Sequence, residues 1–267
     1  MSPLPNDWSR RLRGGRRWAV GGAALGAAAA LVAFAPAAWL TGALARASGE
    51  RLLLADAQGS IWNGSAVPVL TGGPGARDAA ALPGRLHWTL RPAATGVVLR
   101  ARQACCIDGE LALRVDLGLG RWKVTLPAGP VGRWPAAWLA GLGTPFNTLG
   151  LGGSVALASQ GLVAESAAGR WSLSGGATLL LDDMSSRVST LDRLGSYRLT
   201  LSGGDVPRLT LATQQGPLML SGDGQWSTHG LRFRGEAAAA PGSEAVLNNL
   251  LNIIGRRQGT KAVISIG

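Results

Sequence analysis

The sequence predicts a mainly β protein, with one N-terminal transmembrane helix followed by a curved, Gly-rich antiparallel sheet that one or two short helices cover. Three observations predict it. Apolar and polar residues alternate over stretches of about five to eight residues, the period-two signature of strands with one covered face. Between these stretches lie GG, DG, PG and GP pairs, which are turn chemistry, and their recurrence about every ten residues fits sequential strands joined by hairpins. Ahead of them all stands an uncharged run from Trp18 to Ala45, long enough at about 1.5 Å per helical residue to cross a hydrocarbon core.

The N-terminal segment sets the expected topology. Arg10, Arg11, Arg13, Arg16 and Arg17 precede the apolar run against the single acid Asp7, whereas Arg46, Glu50 and Arg51 follow it. The excess of arginine on one side places the N-terminus in the cytoplasm and the bulk of the chain outside. Three regions follow: a basic N-terminus over 1–17, a membrane helix over 18–45 and an exported β domain over 46–267. Trp18 and Trp39 suit the two interfaces, and Pro36 is tolerated near the end of a membrane helix. A cleaved signal peptide is the competing reading, since AFAPAAWLTGALA ends in small residues, but the apolar run exceeds a typical signal core.

The first clear strand pattern is GRLHWTLR, where Leu86, Trp88 and Leu90 alternate with Arg85, His87, Thr89 and Arg91. In GELALRVDLGLGRWKVTL, Leu111, Leu113, Val115 and Leu117 fall in step, then Trp122, Val124 and Leu126, with charged residues between. SYRLTLS, RLTLAT, PLMLSG, GLRFRGE and KAVISIG repeat the pattern towards the C-terminus. Leu86, Trp88, Leu90, Leu111, Leu113, Val115, Trp122, Val124 and Leu126 are therefore the candidate apolar face of the sheet. Such a face touches a private core, a partner or lipid.

Two segments depart from the alternation. GRWPAAWLAGLG, from Gly132, has Pro135 where a first helical turn tolerates it, and suits a short helix. SEAVLNNLLNIIGRRQG, from Ser243, places Leu247, Leu250, Leu251 and Ile254 at helical spacing, with Ser243 as N-cap, Gly255 as stop and Arg256 and Arg257 beyond it. These four residues are the candidate covering helix, with the Leu111–Leu126 face among the surfaces it could cover. The first segment also divides the β pattern near 132–153 into two similar halves within one domain.

Composition speaks against several chemistries. The chain carries a formal charge of +11, of which the N-terminal arginines supply a part that serves topology. An exported domain rarely meets nucleic acid, so the remaining positive charge points to anionic lipid headgroups and not to DNA or RNA. The chain offers His87, His229, Cys105 and Cys106 at no metal-ligand spacing, and it lacks GxSxG and SxxK elements. No metal, cofactor or catalytic residue is expected. Asp182 and Asp183 are a carboxylate pair, yet acids closing a strand are commoner than acids at work. GGPGAR at Gly72 lacks the Lys and Ser or Thr of a phosphate loop and reads as a turn. Cys105 and Cys106, being adjacent, would point to opposite faces of a strand, so two half-buried thiols are expected ahead of a vicinal bond. Trp62, Trp88, Trp122, Trp171 and Trp226 fall at strand-like positions where large rings fill a core.

Six short segments carry a resemblance: GSIWNG from Gly59, LPGRLHW from Leu82, PFNTLGLGG from Pro145, LGSY from Leu194, GPLMLSGDGQW from Gly216 and LLNIIGRR from Leu250. In these, and in their order from the apolar run to the C-terminus, the chain resembles protein N of the bacterial type II secretion system, also called general secretion pathway protein N. The resemblance implies a single-pass inner-membrane protein with a periplasmic domain, working among other inner-membrane components of the machinery that moves folded proteins across the outer membrane. It implies no catalytic residues. That family in turn resembles the AsmA group, whose β-rich members form a lipid-accommodating groove, which makes a lipid-binding or lipid-transfer module the alternative and phospholipid the second partner to weigh.

Overall fold

The computed structural model describes residues 8–227 and 230–267. The apolar run does not form one helix. It is divided between α1 (Trp8–Ala33) and α2 (Ala37–Ala47), with Pro36 between them at φ −68° and ψ 150°. Proline lacks the N–H that helix continuation needs and pushes the residue before it out of the helical region, so the chain turns at Ala35. Among the described residues no helix is long and apolar enough to cross a membrane. The arginines before Trp18 belong to α1, and the break at Pro36 removes the last residues of the expected span.

After the turn, the chain is sewn to the sheet. Ile61 N–H donates to Ala35 O at 3.0 Å, and the Trp62 indole donates to Val32 O at 2.8 Å. Pro36 forms an isolated bridge with Ser60. Ala35 and Ala37 are buried there, while every residue from Trp18 to Phe34 is exposed, so α1 stands clear of the sheet and α2 lies on it.

All seventeen strands among the described residues belong to one antiparallel sheet. Its first part comprises β1 (Leu52–Gly59), β2 (Asn63–Thr71), the short β3 (Ala79–Ala81), β4 (Leu86–Ala93), β5 (Gly96–Arg102), β6 (Leu111–Gly118) and β7 (Arg121–Leu126). β1 and β3 both pair with β2, which pairs with β4, and from β4 the chain meanders to β7. Next come β8 (Gly129–Pro135), β9 (Leu151–Ser159), β10 (Leu162–Ala167) and the long β11 (Arg170–Ser186). β12 (Gly195–Gly204), β13 (Arg208–Gln215), β14 (Leu218–Ser227) and β15 (Gly230–Ala239) continue the meander, and β17 (Lys261–Ile266) closes it with the short β16 (Arg256–Gln258) beside it.

β11 is the hinge of this topology. Its first residues pair with β10, and its later ones pair with β9 on the same edge, while β12 runs along the other edge. The exchange of partners happens at Gly175, whose φ is +76° and where a Cβ would stand 2.0 Å from Gly161 O. Only glycine fits that approach and that left-handed backbone. β7 and β10 join the two parts into a continuous surface through six paired positions from Leu126↔Leu162 to Arg121↔Ala167.

The segment expected to be a short helix from Gly132 begins as β8 and then forms a 3₁₀ turn, Ala136–Leu142, followed by α3 (Phe146–Leu149). The expected C-terminal helix is α4 (Glu244–Ile254), capped by Ser243 without a side-chain hydrogen bond. Arg256 and Arg257 are strand residues of β16, and the Arg257 guanidinium donates to Asn248 at 2.9 Å.

Two apolar clusters hold the sheet. The larger gathers Leu247, Leu250 and Leu251 of α4 with Val155, Met184, Tyr197, Leu218, Ala237 and Ala262 from the strands and Ala136 and Leu149 from the 3₁₀ turn and α3. Burial of Tyr197 pushes its phenol above the usual value while its hydroxyl donates to Leu218 O at 3.1 Å. The smaller cluster places Ala37 and Leu40 of α2 against Ala66, Trp88, Leu54 and Leu99. There the Trp88 ring packs against Gly64, where a Cβ would come within 2.5 Å of the ring.

Candidate interaction surface

Residues paired across an antiparallel ladder share a face, so the register traces one surface through the molecule. Leu90 faces Leu99, Leu99 faces Leu113, Val97 faces Val115 and Val115 faces Val124. Val124 faces Ala164 and Ala164 faces Leu173. Past the register shift between Leu173 and Gly176, Leu179, Leu199 and Leu211 are paired in turn, as are Leu181 and Tyr197, and the contact of Trp171 with Trp226 puts the two parts on the same side. Leu86, Trp88, Leu90, Leu111, Leu113, Val115, Trp122, Val124 and Leu126 are thus brought onto one face, continuous with the face that α4 covers.

The cover over this face is uneven. α2 lies over β1 and β2, and α4 lies over β15, β16 and β17, so neither helix reaches β6 or β7. The helix expected as a cover for Leu111–Leu126 is instead committed to the other end of the sheet. Leu113, Val115, Val124 and Leu126 remain half-buried. At the hairpin end the face opens entirely: Trp122, Trp171 and Trp226 are 42%, 41% and 44% exposed. Trp171 and Trp226, three strands apart in the meander, meet edge to face with centroids 6.2 Å apart. Neighbouring strands stand about 4.8 Å apart, so these rings must lean towards each other over a concave surface.

The tryptophans therefore depart from the expectation that they fill a core. Trp88 does so; Trp122, Trp171 and Trp226 do not, and Trp62 sits in the β1–β2 turn. The period of two assigns a ring to the apolar face but carries no sign of whether anything lies above it. The role of α2 as a cover was also invisible in the pattern, although Pro36 followed by AAWLTGALA is a signal for a separate short helix.

The opposite face is polar and laced with ion pairs. Arg85 holds Asp56 at 2.5 Å, Arg114 holds Asp116 at 2.9 Å and Lys261 holds Glu236 at 2.8 Å. These hydrogen bonds hold the three carboxyls below the usual carboxylate range. His87 lies exposed on this face beside Arg91, Arg100, Arg102 and Glu110, around an open hollow of about 300 Å³. His229 lies outside the described residues.

The carboxylate pair is divided between partners. Asp182 binds Arg133 at 2.9 Å, and Asp183, with φ +50°, binds Arg193 at 3.2 Å. Each is paired with a guanidinium, an arrangement that suits a structural ion pair better than proton transfer. Among the described residues no group of three His, Cys, Asp or Glu side chains could hold a metal ion.

Cys105 and Cys106 are joined as a vicinal disulfide with Cα atoms 3.7 Å apart, which corrects the expectation of two thiols. They lie in a turn, not a strand, so their side chains are not forced to opposite faces. Arg133 N–H donates to Cys106 O at 2.9 Å, fastening this turn to β8.

No curated protein and no solved structure matches the chain. The family model for type II secretion system (T2SS), protein N, matches residues 50–264, a span that runs from two residues before β1 into β17 and takes in the candidate apolar face. The chain therefore belongs to the type II secretion system protein N family.

Proposed function

We propose that this protein is a noncatalytic inner-membrane component of the type II secretion system, held by α1 with its N-terminus in the cytoplasm and its sheet in the periplasm. There it supports assembly or function of the machinery that exports folded proteins across the outer membrane, through contacts with other inner-membrane components. The observation that carries the reading is family membership over residues 50–264. The anchor is supported by α1 itself, whose residues from Trp18 to Ala33 are uncharged and exposed. That helical stretch is about 24 Å long, somewhat less than a hydrocarbon core, a mismatch that a bilayer meets by thinning locally. In-cell crosslinking from the full-length chain tests this. Capture of type II secretion components, with secreted proteins retained in the periplasm when the gene is deleted, is expected; normal secretion in the deletion strain would sink the reading.

A second reading, lipid binding or transfer, is favoured by one observation: the apolar face over β6, β7 and β10 has no helix on it. Native mass spectrometry of the detergent-purified chain tests it. Retained phospholipid that is lost in Leu113→Asp, with the melting transition preserved, favours a lipid groove. Unfolding of that variant, with a lipid-free parent, favours a closed core.

A further inference from the structure

The β4–β5, β6–β7, β10–β11 and β12–β13 connections lie at one end of the sheet, with the paired ends of β14 and β15 at Ser227 and Gly230, because strand direction alternates along the antiparallel pairs that link them. The β1–β2 turn belongs to the same end, since Asn63 pairs with Thr89 and the turn residues before it run alongside the last residues of β4. α1 departs from that turn, tied to it through Val32, Ala35 and Pro36.

This is also the end that exposes large apolar side chains. Leu119, at the β6–β7 tip, is fully exposed, and Leu117, Trp122, Trp171, Val206 and Trp226 accompany it along the row of hairpins. Arg121, Arg170 and Arg208 stand in or beside the same tips with Arg232 close behind, and none of the four forms an ion pair among the described residues. Asp205 is the acid in the turns themselves. At the opposite end Met219 and Val246 are exposed singly, while Leu247, Leu250, Leu251, Leu149 and Leu218 are buried together by α4, the 3₁₀ turn and α3.

We propose that this row of hairpin tips docks on the outer surface of the membrane that α1 enters, with Leu119 and the tryptophans at headgroup depth and the arginines on anionic phospholipid. Tryptophan partitions to bilayer interfaces because its ring is apolar with one polar edge, and arginine is drawn to an anionic surface. A protein partner would need no alignment of these tips with the helix that leaves the sheet; a bilayer does. Docking would hold the open end of the apolar face against lipid and set the orientation of the whole sheet. The inference rests on the reading of α1 as a membrane anchor.

The test uses the full chain in vesicles of phosphatidylethanolamine and phosphatidylglycerol whose acyl chains are brominated near the headgroup. Leu119→Trp places a reporter at a side chain that packs on nothing and lies beyond the apolar face, out of reach of any lipid held there. Expected is that the emission added by this variant is shifted to the blue and mostly quenched by bromine, and that quenching falls when phosphatidylcholine replaces the anionic lipid or when Arg121, Arg170 and Arg208 become Gln. Emission from residue 119 that stays at the wavelength of water-exposed indole and ignores bromine, in protein that still floats with vesicles after alkaline wash, would overturn docking and leave the anchor standing. Protein that fails to float after that wash would overturn the anchor and docking together.

Discussion

The two ends of the sheet share one alternating pattern but not one environment. At the end held by α4, Leu247, Leu250 and Leu251 are the largest fully buried side chains of the described residues. At the hairpin end, Leu117, Leu119 and Trp122 obey the same period of two and stand in the open. The difference shows that alternation reports which side of a strand is apolar, whereas the energy of that side depends on whether another element arrives to cover it. The strands provide a uniform surface, and four short elements divide it into core and open face.

The largest expected effect is at the covered end. Leu250→Ala should destabilise the protein by about 2–5 kcal/mol, because it removes buried methylenes and leaves a cavity beneath α4. Leu119→Ala should fall within about 0.5 kcal/mol, as expected for a side chain that packs on nothing. Denaturant unfolding of both variants checks the contrast, and equal losses would break it.

Next in size is Gly64→Ala. The new Cβ would meet the Trp88 ring at 2.5 Å and the backbone Gln58 O at 2.7 Å, and shifting them should cost about 1–3 kcal/mol. A variant as stable as the parent would mean that Trp88 can leave the smaller cluster freely and that α2 is held by its backbone contacts alone.

Smaller again is Trp226→Ala, which removes one edge-to-face pair at an open position. The loss should be about 1 kcal/mol. A loss equal to that of Leu250→Ala would show that the hairpin end is a core after all.

The smallest effect concerns acid. Asp56, Asp116 and Glu236 have folded values below their unfolded ones because Arg85, Arg114 and Lys261 hydrogen-bond them. Such groups contribute stability above the unfolded value, near pH 4, and lose it as pH falls through the folded value. All three lie on the exposed face, so the contribution is slight and is screened by salt. Unfolding curves for Asp56→Asn should therefore show less loss between neutral and acid pH than the parent, with the gap closing at high ionic strength.

Much of this architecture was legible from the residues. Leu86, Trp88 and Leu90 against Arg85, His87 and Thr89 announce a strand and its two faces, and Leu247, Leu250, Leu251 and Ile254 announce a helix with one apolar side. Both are local statements, and the backbone periods of two and 3.6 enforce them whatever the rest of the chain does. The family was legible too, in segments such as GPLMLSGDGQW and LLNIIGRR.

Other features needed distance in space. Nothing near Trp122 or Trp226 tells whether a cover lies above them, because the covering helices come from the two far ends of the sequence. Nothing in CC reveals a turn in place of a strand, since the alternation on either side is undisturbed. The uncharged run from Trp18 to Ala45 reads as one span by hydropathy alone, yet Pro36 and the bonds from Trp62 and Ile61 break it and lay α2 on the sheet. Local chemistry determined the strands, the helices and their apolar sides; long-range pairing decided which apolar side became core, because burial requires two surfaces to meet and the sequence order brings only one of them at a time.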